Sequence, residues 1–186
     1  MAYGFLDLAS TASVQAAQEA HGSLAFWSGF TGSRKFDRFT ETEKKFIANR
    51  DSFYIATVSE TGWPYVQHRG GPSGFMKVLD DRTLGFVDFR GNRQYITQGN
   101  VSADDRAALF LMDYPGQRRL KIYAHVEVKS FADDPALASK LILPEYKGKA
   151  ERAMLLHLDA FDWNCPQHIT PRFTEAEINQ AILKRS

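Results

Sequence analysis

SFYIATVSETGWPYVQHRG, residues 52–70, is the stretch on which the fold class turns. Two runs rich in aromatic and β-branched residues flank Glu60-Thr61-Gly62, where glycine supplies the positive φ of a tight turn. The spacing predicts a β-hairpin. Working outward, further β-type runs at 75–79, 82–89, 106–114, 118–130 and 152–162 are parted by turn signals such as Asp80-Asp81 and Pro115-Gly116. About seven β segments with few helices between them predict an antiparallel barrel or sandwich rather than a parallel doubly wound sheet.

Helical patterns lie around this β region. Residues 12–20 are good helix formers closed by His21-Gly22. TETEKKFIANR, 40–50, opens with Thr40 and Glu43 at capping-box spacing and gives Phe46 and Ile47 one apolar side. Short helices are expected within 91–100 and within 132–140, where Pro135 suits a first turn. Thr174 and Glu177 repeat the capping box, and Ile178, Ala181 and Ile182 then fall on one face that is expected to dock. With no repeat, low-complexity tract or long linker, residues 1–186 read as one domain. It has an N-terminal helical extension over about 1–50 and a C-terminal helix over about 174–184.

The 186 residues carry 23 Lys and Arg against 22 Asp and Glu, a formal charge of +1, so a global attraction to nucleic acid or an acidic membrane is not indicated. Hydrophobic residues at 44% and charged residues at 24% describe an ordinary globular chain. The single cysteine, Cys165, excludes an internal disulfide and fits a reducing compartment. The N-terminus lacks the basic head and apolar run of a signal peptide, and no segment approaches the ~18 apolar residues of a membrane span; a cytoplasmic protein is expected.

One constellation carries chemistry. Arg69 and Lys77 flank a loop containing Gly70, Gly71 and Gly74, and Arg90, Asn92, Arg93 and Gln94 follow the run at 82–89, opening the helix expected there. Glycines admit close backbone approach, a helix start presents unpaired N–H groups, and guanidinium forks match phosphate oxygens. That combination is suited to a phosphate. Singly, an exposed arginine usually does no more than solvate a surface; the clustering is what points to an anion site. Elsewhere the plain reading prevails. The histidines share no metal-ligand spacing and no metal is expected. Cys165 reads as structural, Asp104-Asp105 and Asp133-Asp134 as helix or turn caps, and the charge run 34–45 as a solvated approach anchored by Phe36 and Phe39.

Taken together, FIANRDSFYIATVSETGWPYVQHRGGPSGFMKVLDDRTLGFVDFRGNRQYITQGN, DDRAALFLMDYPGQRRLKIYAHVEV and FDWNCPQHITPRF resemble the pyridoxamine 5′-phosphate oxidase-like family of flavin-nucleotide-binding proteins. The resemblance implies a six-stranded antiparallel split β-barrel, a homodimer, and FMN in clefts between the subunits. It implies first flavin contacts at Gln67, His68 and Arg69, a phosphate turn at Asn92, Arg93 and Gln94, and Val87 and Asp88 near the ring. Lys77 is a further phosphate candidate. Arg119 or Lys121 would reach the flavin from the partner subunit, and Trp163 and Arg172 would line the substrate side. Because the oxidase proper usually has an Arg-Lys pair where this chain has Arg93-Gln94, and sets its C-terminal arginine in a different motif from HITPRF, the resemblance is to a related branch. An FMN-dependent oxidoreductase acting on a small molecule is the expected function; a protein that stores, senses or delivers FMN is the alternative. Relatives of this barrel also use haem or a deazaflavin, so FMN is itself an expectation. Neither nucleic acid nor membrane is an expected partner.

Overall fold

The computed structural model describes residues 4–30 and 37–183. Residues 1–3 and 31–36 of the expected N-terminal extension, with Phe36 and the start of the charge run 34–45, and Lys184 at the end of the expected C-terminal helix lie outside them. The hairpin forms as β1 (Ser52–Val58) and β2 (Pro64–Gly70), paired from Ser52↔Gly70 to Val58↔Pro64. Gly62, at φ 84°, donates its N–H to the Ser59 carbonyl at 2.8 Å and closes the turn.

The remaining strands are β3 (Lys77–Val78), β4 (Thr83–Phe89), β5 (Arg106–Asp113), β6 (Arg118–Ser130) and β7 (Ala150–Asn164). All pairings are antiparallel, in the order β2-β1-β5-β6-β7-β4-β3. Six strands are long and β3 has two residues. The sheet curls until its ends meet. Phe53 of β1 lies 5.2 Å, edge to face, from Phe86 of β4, although three strands separate these two in the sheet order. Their meeting closes a split β-barrel whose interior holds Phe53, Ile55, Leu84, Phe86, Leu109, Leu111, Leu120, Ile122, Met154 and Leu156. Alternate positions along each strand supply this core, as the period of two requires.

Two bulges interrupt the pairing of β7. Asp159 is the extra residue between Tyr123↔Ala160 and Ala124↔Leu158, and Glu151 is the extra one between Asp88↔Arg152 and Phe89↔Ala150. Beyond a bulge, the side chains of the strand exchange faces. It is why Leu158 and Phe161, three apart, both enter the core.

Helices α1 (Phe5–Ala9), α2 (Ala12–Ala20) and α3 (Leu24–Ser28) form the N-terminal extension, α2 ending at His21 and Gly22 as the sequence predicts. Helix α4 (Glu41–Ala48) carries the expected capping box: the Thr40 amide donates to Glu43 Oε2 at 2.9 Å. Helix α5 (Ile96–Ala103) starts five residues later than the sequence suggests, because Arg93 and Tyr95 have left-handed backbones (φ 64° and 53°) that no α-helix accepts. Asn92, Arg93 and Gln94 therefore form a turn before the helix rather than its first residues. Helix α6 (Pro135–Leu141) is capped by Asp134; Asp104, the C-cap residue of α5, accepts the Arg106 backbone N–H at 3.2 Å as well as its guanidinium, and Asp105 takes His125. Helix α7 (Glu175–Leu183) has the expected cap at Thr174 and Glu177, yet Ile178 and Ile182 stay exposed. The expected burial of these two isoleucines against the barrel is therefore not seen. Among the described residues no helix is long and apolar enough to cross a membrane.

Candidate anion-binding site

The seam where the curled sheet meets itself holds a cavity of about 190 Å³. Tyr65, Gln67 and Arg69 line it from β2, Asp88 from β4, and Asn92, Arg93, Gln94 and Tyr95 from the turn before α5. Thus Gln67, Arg69, Asp88, Asn92, Arg93 and Gln94 of the sequence constellation come together. Alternation on β2 explains the grouping: 65, 67 and 69 share the pocket face, and His68 must point the other way. There its ring packs 5.5 Å from Tyr54.

Arg69 Nη1 donates to Asp88 Oδ1 at 2.7 Å and so ties β2 to β4 across the seam. Its Nε is buried and has no hydrogen-bond partner among the described residues. Among the described residues Arg93 has no ion pair; it is exposed at the rim. The Tyr65 hydroxyl donates to the Gln67 side chain, and the Gln94 amide to Asn92 Oδ1 at 3.1 Å. These contacts hold amide side chains on the pocket wall.

A second tier surrounds the turn. Glu151 accepts from Arg90 Nε at 2.7 Å, from Arg152 Nη2 at 2.7 Å and from the Tyr95 hydroxyl at 3.3 Å. Arg152 also lies 3.8 Å from Asp88 Oδ2 and 4.9 Å from the Tyr95 ring centroid. The hydrogen bond from Arg90 holds the Glu151 carboxyl below its usual range and raises Arg90 in turn. Four guanidiniums thus face two carboxylates, and the surplus positive charge favours an anionic ligand. Sequence reading singled out none of Tyr65, Tyr95, Glu151 and Arg152. Tyr65 could be found from its two-residue spacing to Gln67; the others depend on a bulge and a turn that carry no spacing signal.

The other candidates lie apart from this pocket. Val87 faces outward, buried under α6 against Leu137, Leu141 and Leu155. Lys77 adjoins Gly74 near the end of α4. Arg119 and Lys121 lie on the outer face of β6; Lys121 pairs with Asp162 at 3.1 Å and sits 4.4 Å from the Phe5 ring, and Arg119 has a buried, unpartnered Nε. Trp163 donates to Glu43 Oε1 at 2.8 Å and packs edge to face on Phe46. Arg172 lies 5.1 Å from the Tyr114 ring centroid. Cys165 is free and exposed.

A family model described as pyridoxamine 5′-phosphate oxidase matches residues 39–157, well over half of the chain and nearly all of its barrel. The chain belongs to this family. Among solved structures, one similar to this family member is a provisionally named pyridoxamine 5′-phosphate oxidase from Lactobacillus delbrueckii. The two are 24% identical over 68% of this chain and 94% of that one, with a TM-score of 0.52. HupZ from Group A Streptococcus is 15% identical over 73% of this chain and 99% of that one, with a TM-score of 0.53. At these identities the likeness is one of fold. Among curated proteins no significant match is found. The N-terminal helices α1 to α3 precede the matched region.

Proposed function

We propose that the chain binds FMN through the seam pocket and works, as a cytoplasmic homodimer, as a flavin-dependent oxidoreductase on a small molecule. The observation that carries this reading is the convergence of Arg69, Arg93 and three amide side chains on one cavity. The donor set fits a phosphate monoester with a polyol chain: the guanidiniums answer the dianion, and Gln67, Asn92 and Gln94 answer phosphate oxygens and hydroxyls. The unpartnered Nε of Arg69 is a buried donor awaiting an acceptor, a situation that costs free energy until it is filled. When bound, FMN supplies reversible electron transfer, and the protein's part is to bind, orient and enclose it.

The cavity is smaller than the ~300–1,000 Å³ of pockets that bury most of a drug-sized ligand. It receives the polar end of the nucleotide and leaves the ring to be enclosed by further surface, which is the argument for a second copy. A face suited to that copy exists on the outside of β2-β1-β5-β6. Grooves of about 420 and 270 Å³ share Ala56, Ala108 and Tyr123 there, beside exposed Tyr54, Val58, Trp63 and Val66. Patches of this kind mark protein interfaces. Arg119 and Lys121 lie on the same outer side, and in this reading they serve the flavin of the partner subunit. His68 and Val87 face away from the pocket and Lys77 lies beside Gly74, so this reading gives the three no contact with the phosphate. Trp163 and Arg172 belong to the substrate side, so Arg172→Ala leaves flavin bound and slows turnover.

A visible absorption spectrum of the purified protein, before and after NADPH, tests this reading. Flavin bands that bleach with NADPH are expected. A colourless protein that takes up no added FMN refutes it, and bound flavin that no donor reduces favours a carrier instead.

A further inference from the structure

We infer that Glu151, the extra residue of the β7 bulge beside Asp88, is the positioning residue of the anion-binding turn 90–95. The inference rests on the reading that the pocket takes the phosphate of FMN. Neighbours on a regular strand face opposite ways, but the bulge brings both Glu151 and Arg152 toward the turn. Glu151 then holds the turn at both ends. One carboxylate oxygen takes Arg90 Nε at 2.7 Å, just before Gly91, and the Tyr95 hydroxyl reaches the other at 3.3 Å, just after Gln94. Arg152 donates to the same carboxylate at 2.7 Å and covers the Tyr95 ring.

The turn needs such ties. Among the described residues, its side-chain hydrogen bonds between Gly91 and Gln94 join Asn92 and Gln94 alone, and two of its residues, Arg93 and Tyr95, hold left-handed backbones. Conformations of that kind persist only where the surroundings impose them. Tyr95 is also the cap residue of α5, and no side chain there satisfies the helix end. What fixes Tyr95 is its ring, lying under Arg152 with its hydroxyl on Glu151. A carboxylate beside an anion pocket opposes the anion through space, so the electrostatic and positioning roles of Glu151 have opposite signs. Glu151→Gln tightens FMN if charge alone matters and weakens it if the turn is being held.

The test measures Kd for FMN and for riboflavin, which lacks the phosphate, in the wild type, Glu151→Gln and Tyr95→Phe, with amide hydrogen exchange of residues 91–96. In Glu151→Gln, FMN binding is expected to weaken by about tenfold while riboflavin binding holds within about twofold, and the turn amides exchange faster. Tyr95→Phe, which loses one of the ties, shows the same pattern at about threefold. A purely structural role would weaken both ligands together. Unchanged or tighter FMN binding with unaltered exchange overturns the inference. If the wild type does not prefer FMN to riboflavin, the phosphate reading fails, and hydrogen exchange alone decides on Glu151: faster exchange in the variant upholds its role and equal exchange ends it. Should Glu151→Gln not fold, Tyr95→Phe, on an exposed side chain, carries both readouts.

Discussion

Arg93 pays a conformational cost of about 1 kcal/mol for its positive φ, and its guanidinium stands at the pocket rim. A residue under strain at the rim of the proposed site invites a pair of substitutions. Arg93→Ala should weaken FMN binding by about 2–3 kcal/mol through loss of a charge-assisted contact. Arg93→Gly should show the same loss while its melting temperature stays level or rises, since glycine accepts the backbone freely. Isothermal titration alongside a thermal melt would separate the two effects, and unchanged flavin affinity in both variants would remove Arg93 from the site. His125 is a different case. Its Nδ1 lies 2.8 Å from Asp105 and its Nε2 3.1 Å from Asp159, and the hydrogen bond to Asp105, aided by the charge of Asp159, raises its pKa despite partial burial and Arg106. A raised folded value means that the stability is fully present below the ordinary imidazole value near 6.5 and is lost as pH climbs through the higher folded one. The melting-temperature difference between wild type and His125→Gln should therefore shrink from pH 6 toward pH 8. None of this was readable at His125, because Asp105 lies 20 residues away in the chain and Asp159 reaches it only from a bulge.

At the scale of elements, α4 is tied to the barrel by a carboxylate in addition to its buried Phe46 and Ile47. Glu43 is 4% exposed, caps Thr40 and accepts from Trp163 of β7. Trp163→Phe keeps the packing on Phe46 but leaves a buried acceptor unmet, which should cost about 1–3 kcal/mol in urea denaturation. The capping box of α4 was legible because both partners lie three residues apart; the link to Trp163 spans 120 residues and was not. The β5–β6 turn makes a similar point. A Cβ on Gly116 would run into the Asp113 carboxylate, which cannot give way because Arg118 holds it at 2.7 Å and Arg50 at 3.5 Å. Gly116→Ala is expected to destabilise by about 1–3 kcal/mol. The turn signal Pro115-Gly116 was visible in the sequence, the reason for its glycine only in the contacts.

Across the whole molecule, the decisive event is the curling of one sheet until β2 and β4 meet. That contact assembles the pocket from segments some twenty residues apart on opposite ends of the strand order, and Arg69 and Asp88 clasp it. The dimer proposed above is tested at this scale. Val66 is 61% exposed in the single chain, so Val66→Glu should barely alter the fold of one copy. Sedimentation should nevertheless shift toward monomer, with weaker flavin binding, because a buried unpaired charge would oppose the interface. A Val66→Glu protein that sediments and binds flavin as the wild type does would place the interface elsewhere.

The antiparallel β architecture, the hairpin at 52–70, the caps at Thr40, Asp134 and Thr174, and the cluster of cations and amides between Arg69 and Gln94 were all determined by the sequence alone. Each depends on period, turn chemistry or spacing within a few residues. Tertiary structure decided which of those residues share a pocket. It separated His68 from Arg69 by strand alternation, sent Val87 under α6, delayed α5 past two left-handed residues and aimed Glu151 and Arg152 through a bulge. Those outcomes depend on how a closed sheet registers with itself, and register is a property of pairs of segments that no local pattern contains.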